Sequence, residues 1–535
     1  NKLVVEAATT IVQFYCVWNG DTARTYSRFD RTVSGFDGAA PLVTTVDLAS
    51  TATGKGAALV VYSPGTVADA LDRLLNPLNA SYNATGDGSA DDRAALAAID
   101  AVAYAAGRPV YITARHRVAS NITLQADYIF IGGKFEPAAG VTITCRGVVT
   151  AGLSQIFAGL GSVIGLRKVH PEWWGAVPDA AGDGTTGTDN ITALRAAHTC
   201  VQSSKASRGG EQLIVLSGGN YGVSDGWVVQ PTADVNLRVR GAGTVLGGTR
   251  LVTLSSYSST SNPALQLRGS SDSIQQISDW ELSGLAIIKG AGAATVGLQI
   301  GSNTSTERLV GLAWSKVEDV HVEGFVVDTK IIHARMINFT RFSGWANTVV
   351  PATIPLQITT NGWFTGDLNF DDTCQFVSNS PTLSGTKCIQ ILCSSGDYNA
   401  GTGANQIAGI RFGNIDLYQG QRAAEIYCSN GGYVSDIWFT ETQFDQQSTT
   451  AIYIEANKDT ATTPVIQNIN IDRCYFSETL GVTVDAVSTS GGIVRDVDVV
   501  ACYANVGCFE QLQLHPDLCG MQHQRLQRRL ELFAL

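Results

Sequence analysis

The sequence predicts an all-β solenoid: a rod of stacked strand units, with short helices near its start. Three observations point there: a phrase repeated between about residues 359 and 504, a composition rich in glycine and poor in charge, and a helix-leading motif that occurs twice upstream. The phrase reads Leu368-Asn369-Phe370 with Phe376, then Ile410-Arg411-Phe412 with Leu417, then Ile437-Trp438-Phe439 with Phe444. It continues as Ile469-Asn470-Ile471 with Phe476 and as Val497-Asp498-Val499 running into Cys502-Tyr503. From Ile410 onward its starts recur every 27 to 32 residues, the range of a repeat architecture. Each copy alternates apolar and polar residues, as a strand with one buried face does. Stacking such units gives a continuous core and a long, rigid outer face, which suits an extended polymer.

The chain of 535 residues is long enough for several domains or for one solenoid with appendages. Apolar residues make up 44% and charged residues 16%, with 56 glycines and 14 prolines, which favours a turn-rich β protein. A net charge of -11 argues against nucleic acid or an anionic membrane as the main partner, and leaves room for an acidic glycan held in a local basic groove. No run of 18 apolar residues occurs, and Glu6 and Gln13 interrupt the mildly apolar opening, so neither a membrane span nor a signal peptide is expected. The 11 cysteines show no metal-ligand spacing. Cys374, Cys474 and Cys502 fall at one equivalent place in three phrases and are expected as an inward stack of reduced thiols, in a chain folded in a reducing compartment. No metal or other cofactor is expected.

Four regions follow in order. Residues 1–66 are a Thr/Ala/Gly-rich N-terminal region with short strand-like pieces such as Leu42-Val43. Residues 67–168 form a small leading domain: a helical pattern over 66–75, the turn Gly86-Asp87-Gly88 before Asp91-Asp92, a helix over 94–106, then short strands and glycine turns. At 169 the same order restarts, with Pro171-Glu172-Trp173-Trp174-Gly175-Ala176, the turn Gly182-Asp183-Gly184, Asp189, a helix over 191–203 and a strand over 212–216. The aspartates before each helix are expected as structural caps on free amide groups. The second helix is expected to cover the open end of a solenoid spanning 169–505, whose earlier coils near 277–285, 317–325 and 337–342 are less regular. Residues 506–535 form a tail with a short basic amphipathic helix from 521, presenting Leu526, Leu530 and Phe533 on one side.

The paired Gly-Asp-Gly and helix openings, the Pro171–Ala176 lead-in, the segment from Gly132-Gly133-Lys134-Phe135 to Gln155-Ile156-Phe157 and the coils after them resemble one family. They are similar to phage tailspikes and capsular polysaccharide depolymerases with a pectate-lyase-like β-helix, over about residues 66–505. The resemblance implies a right-handed, single-stranded parallel β-helix with short capping helices and a small N-terminal α+β region. It also implies a homotrimer on a virion tail or baseplate, attached through the N-terminal region and acting outside the host cell. Its partner would be a bacterial surface polysaccharide (capsule, O-antigen or exopolysaccharide), bound and usually cleaved.

Aligned coil on coil, the phrases put Ile437, Phe439, Thr442 and Phe444 inward, with a corner at Thr440-Glu441, and Trp438, Thr440, Gln443 and Asp445 outward. One outward ladder runs Asn369, Arg411, Trp438, Asn470, Asp498; another runs Gln375, Asp416, Gln443, Tyr475, Tyr503; the corner carries Asn414, Glu441 and Arg473. Amides and carboxylates for hydroxyl groups, with aromatics for pyranose faces, make a sugar-binding set, although polar outward residues are expected on any solvated solenoid. Glycoside hydrolysis needs two carboxyl groups about 5 to 9.5 Å apart. Asp416 lies one coil and two residues from Glu441, which puts their backbones about 8 Å apart, and Asp445 stands in a similar relation to Asp416. The expected catalytic set is therefore Glu441 with Asp416 or Asp445, with Asp472 and Asp371 in reserve. An ionised Glu441 beside Arg473 suits a base or nucleophile. Trp438, Arg473, Tyr475, Gln443, Arg411 and Asp472 are the expected substrate-binding residues.

Two rival readings stay open. A lyase acting on a uronate needs a group to neutralise the carboxylate and a base, for which Arg473 with Tyr475, or His321 near Glu323, are available. A non-catalytic adhesin needs only the groove. Asn369-Phe370-Asp371-Asp372 has the paired aspartates of polygalacturonases, but the Gly-His-Gly and Arg-Ile-Lys elements of those enzymes are missing. Taken singly, His321 and His333 read as surface or satisfied residues, and no Gly-x-Ser-x-Gly nucleophile elbow sits at a strand-to-helix turn to suggest Ser-His-Asp chemistry.

Overall fold

The computed structural model describes residues 74–504, apart from 205–210, 232–235, 246, 270–276, 305–306, 312–314, 347–350, 372, 379–382, 395, 397–404, 460–461 and 478–481. Beyond these it describes only the strands Lys2–Ala7, Thr10–Val17, Thr25–Arg28, Val61–Tyr62, Gly65–Thr66 and Leu512–Leu514. The first three of those strands pair as an antiparallel meander, with Lys2 opposite Tyr15 and Phe14 opposite Arg28. Most of the helical pattern at 66–75, Asp372 and the helix expected from 521 lie outside the described residues. The described chain forms two compact units, Asn1–Arg117 with Gln125–Gly133, and Val118–Leu124 with Lys134–Leu535.

In the first unit, α1 (Arg93–Ala106) forms because alanines and Leu96, Ile99 and Ala103 recur at helical spacing and are buried. It stops at Gly107, which takes the left-handed conformation (φ 61°) that lets its amide bond back to Tyr104 O. The expected aspartate cap is Asp91, whose Oδ1 accepts the Arg93 amide at 3.2 Å, and not Asp92, which makes no side-chain bond to the helix. The Asp92 carboxylate instead accepts the amides of Thr85 (2.7 Å) and Gly86 (3.0 Å) and pairs with His116 Nδ1 at 2.8 Å, clamping the glycine turn to the strand that carries His116. Buried Asp100 does similar work, accepting hydrogen bonds from the Gln125 and Ala126 amides and the Tyr128 hydroxyl.

The second unit opens with a small parallel sheet of Ile122–Leu124, Thr142–Cys145 and Ser162–Ile164. The 3-10 turn Pro171–Trp174 and α2 (Ile191–Gln202) follow, and α2 packs its buried Ile191, Leu194, Ala197 and Val201 face at the first coil, against Glu211–Val215. Its N-cap is Asn190, whose side chain turns away to the Val177 amide, while Asp189 accepts the Ile191 amide at 3.2 Å and also holds Ser224. Asp189 thus caps the helix and ties a loop at once.

Lys168–Val169 and the strands from Glu211 onward form, among the described residues, two long parallel sheets of 20 and 10 strands. A full coil supplies three strands, such as Tyr433–Thr440, Gln443–Asp445 and Thr450–Asn457, and each pairs in parallel with its counterpart in the next coil. Between the first two strands one residue turns left-handed: Asn414 (φ 52°), Glu441 (φ 54°) or Arg473 (φ 52°). The kink preserves the ladder, because each corner amide donates to the next coil, as Glu441 N does to Asp472 O (3.0 Å). Ile437, Phe439, Thr442 and Phe444 are fully buried, as expected.

Stacking dictates the core. Phe339, Phe370, Phe412 and Phe439 lie nearly parallel with centroids 4.2, 5.0 and 4.9 Å apart, close to the spacing of adjacent strands. Phe444 and Phe476 repeat this at 4.8 Å. Cys374 and Cys474 are buried and Cys502 is half-buried at the equivalent place, and all three are free thiols.

Candidate functional site

Because side chains alternate along a strand, parallel register turns every second position into a column on the rod's exterior. The first column runs Asn369, Arg411, Trp438, Asn470, Asp498 in direct register. The second runs Gln375, Asp416, Gln443, Tyr475, Tyr503. Both match the order expected from the repeated phrase.

Asp416 is half-buried in the second column. Gln375 Nε2 donates to its Oδ2 at 2.9 Å, and its Oδ1 is buried with no hydrogen-bond partner among the described residues. Asp445 stands one strand over and two residues on, opposite Tyr418, while Gln443 stands opposite Asp416. Glu441 projects from the adjacent corner with its side chain 56% exposed, and Arg473 Nη2 lies 3.3 Å from its Oε1. Arg473 Nε is also 3.3 Å from Asp472 Oδ2. Such exposed pairs contribute at most about 1 kcal/mol, so this cluster is held by the strands and not by its charges. Arg411 covers the Trp438 ring, its guanidinium carbon 5.1 Å from the ring centroid. The aromatic surfaces more open to a ligand are Trp345, Tyr475 and Tyr503. Asp371 lies exposed on the strand Phe364–Asp371.

The second column extends upward through residues that sequence reasoning kept apart from it. Gln375 is opposite Ser343, and Ser343 is opposite His321, so His321 is three strand steps above Asp416, about 14 Å. His321 Nδ1 is 2.8 Å from Ser343 Oγ, and its Nε2 is 3.3 Å from Glu323 Oε2. Trp345 meets the His321 ring edge-on at 5.3 Å. His321 is thus neither isolated nor satisfied by backbone. His333 differs: it is fully buried, its Nε2 accepts the Asn361 amide at 3.0 Å, and burial holds its pKa below the usual histidine value.

The third strand of each coil carries a polar chain that no motif announced. Gln357 Nε2 donates to Gln390 Oε1 (2.7 Å), and Gln390 Nε2 donates to Glu425 Oε1 (2.8 Å). Lys387 and Arg422 both pair with Glu425, and the Arg422 guanidinium carbon lies 3.7 Å from the Tyr453 ring centroid. Burial alone would raise the Glu425 carboxyl; Lys387, Gln390 and Arg422 together hold it below the usual carboxylate range. Among the described residues no group of three or more His, Cys, Asp or Glu side chains is placed to share a metal ion, and no helix is long and apolar enough to cross a membrane.

Parallel ladders, three strands to a coil and inward aromatic stacks decide the architecture. The chain is a right-handed parallel β-helix. Solved β-helix proteins resemble it in fold. The ORF18 protein of Geobacillus virus E2 aligns at 13% identity and a TM-score of 0.36, over 62% of this chain and 59% of its own. The Dettilon tailspike protein aligns at 10% identity and a TM-score of 0.25, over 82% of this chain and 70% of its own. The catalytic unit of an α-1,3-glucanase from Streptomyces thermodiastaticus gives 10% and 0.30, over 84% and 70%. The β-helix thus spans less than two thirds of the length of the Geobacillus virus protein. No protein-family model and no curated protein sequence matches the chain.

Proposed function

We propose that this β-helix is a phage tailspike that binds and depolymerises a bacterial surface polysaccharide by endo-glycosidic hydrolysis. The observation that carries the reading is the convergence of Asp416, Asp445 and Glu441 on adjacent rungs of one outer face, flanked by Arg473 and Tyr475. A one-rung, two-residue offset puts the backbone of Asp416 about 8 Å from that of Glu441 and from that of Asp445, so the side chains of either pair can flank one glycosidic bond with room for water. Glu441, beside Arg473, acts as the base that activates water; Asp416 or Asp445 protonates the leaving oxygen. Trp438, Arg411, Gln443 and Asp472 hold the sugars on either side.

In the same reading the rod assembles as a homotrimer, attaches to the virion tail or baseplate through its N-terminal region, and works at the host cell surface. Incubating the full chain with capsular, O-antigen and exopolysaccharide preparations tests it. New reducing ends without absorbance near 230 nm support hydrolysis. Reducing ends with that absorbance mean a lyase, and binding without either means an adhesin. Glu441→Gln should abolish cleavage and keep binding; full activity in that variant removes Glu441 from the site.

A further inference from the structure

We infer that the rod carries a second catalytic centre, a serine esterase built from Ser343, His321 and Glu323, which removes small O-acyl groups from a sugar. It does not depend on glycosidic cleavage and uses none of the carboxylates assigned to that reaction.

The geometry is that of a nucleophile, a base and an orienting acid. Two register pairs on adjacent strands build it: His321 opposite Ser343, and Glu323 opposite Trp345. The partners fix the tautomer. An ionised Glu323 only accepts hydrogen bonds, so the His321 Nε2 that faces it at 3.3 Å carries the hydrogen. Nδ1 is then bare and accepts the Ser343 hydroxyl at 2.8 Å. The two ring nitrogens exchange the roles they have in the familiar serine hydrolases, but the relay is the same. The side chains are accessible without being loose, His321 being 18% and Glu323 27% exposed. Trp345, 39% exposed and packed edge-on against His321, offers an apolar platform for a sugar face or acyl group. Gln375, the next residue down the column from Ser343, gives one amide hydrogen to Asp416 and has a second for an oxyanion.

The reaction balances with water alone. Ser343 Oγ attacks the ester carbonyl carbon while His321 Nδ1 takes its proton. The tetrahedral intermediate collapses, the bond from the carbonyl carbon to the sugar oxygen breaks, and Nδ1–H protonates the departing alkoxide. Water, deprotonated by Nδ1, then attacks the acyl-serine; Ser343 Oγ leaves with that proton, and a carboxylate and a proton are released.

The test uses the full chain with p-nitrophenyl acetate and with diisopropyl fluorophosphate. Hydrolysis of the ester should fall by about 100-fold or more in Ser343→Ala and in His321→Gln. Mass spectrometry should find one diisopropylphosphoryl group on the peptide containing Ser343, absent in His321→Gln. The labelling is read on the unaltered protein, so it decides the matter even if a variant misfolds. Wild-type hydrolysis no faster than that of Ser343→Ala, or an unlabelled Ser343, overturns the assignment. Reducing-end release, measured separately, reports on glycosidic cleavage and distinguishes failure of that reading from failure of this one.

Discussion

Asp416 and Asp445 occupy neighbouring strands of one outward face, offset by two residues, with Asp416 opposite Gln443 and Asp445 opposite Tyr418. In the proposed hydrolysis the two would flank a bond lying across adjacent rungs, with Glu441 at the corner beside them as a third carboxylate. Only two are needed, and substitution separates them. Asp416→Asn, or else Asp445→Asn, should reduce kcat by about 100- to 10,000-fold with little change in glycan affinity. Initial rates and binding isotherms for the two variants identify the acid. Equal, small effects in both would remove these aspartates from the chemistry.

The stereochemical outcome follows from the same spacing. Backbones about 8 Å apart let the side chains hold carboxyl groups about 6.5 to 9.5 Å apart, with room for water, so proton NMR of the first product should show an inverted anomeric centre. Retention would require a closer pair.

Corner strain gives a prediction that sets stability against activity. Glu441 holds φ at 54°, a conformation that costs a side-chain-bearing residue about 1 kcal/mol. Glu441→Gly should therefore raise the urea midpoint modestly while abolishing cleavage.

Acid sensitivity should trace to Glu425. Its folded pKa is depressed, so its pairing stabilises the protein above the unfolded value of about 4.5 and that contribution is lost as pH falls through the folded value. Urea midpoints measured from pH 7 to pH 3 should drop more steeply in the wild type than in Glu425→Gln. Lys387→Met, which strips a partner from a largely buried carboxylate, should cost about 3 kcal/mol at pH 7.

Core stacking is equally open to measurement. Phe412 is fully buried between Phe370 and Phe439, and Phe412→Ala should destabilise the rod by about 3 to 5 kcal/mol in urea titrations.

Much of this was legible in the sequence where coils are regular. From Ile410 the apolar alternation set which residues point inward, and the repeated phrase set the two columns, with Arg411 beside Trp438. Legibility failed where coil length varies. Ser343 is only 22 positions after His321 and sits in the twelve-residue strand Ala334–Trp345, which serves two faces, so no repeated phrase aligned them. Glu425 was hidden differently: it lies inside the largely buried strand Arg422–Ser429, and its partners Lys387 and Gln390 come from the preceding coil. Of the aspartates before the helices, Asp91 and Asp189 each accept a first-turn amide as caps do, while Asp92 finds nearer amides in the folded loop.

The most direct measurement is a crystal structure of the Glu441→Gln protein soaked with an oligosaccharide of its polysaccharide. The glycosidic oxygen should lie between position 441 and Asp416 or Asp445, with sugar rings against Tyr475. A sugar chain bound along the Gln390 and Tyr453 face, leaving Asp416, Asp445 and position 441 untouched, would contradict it.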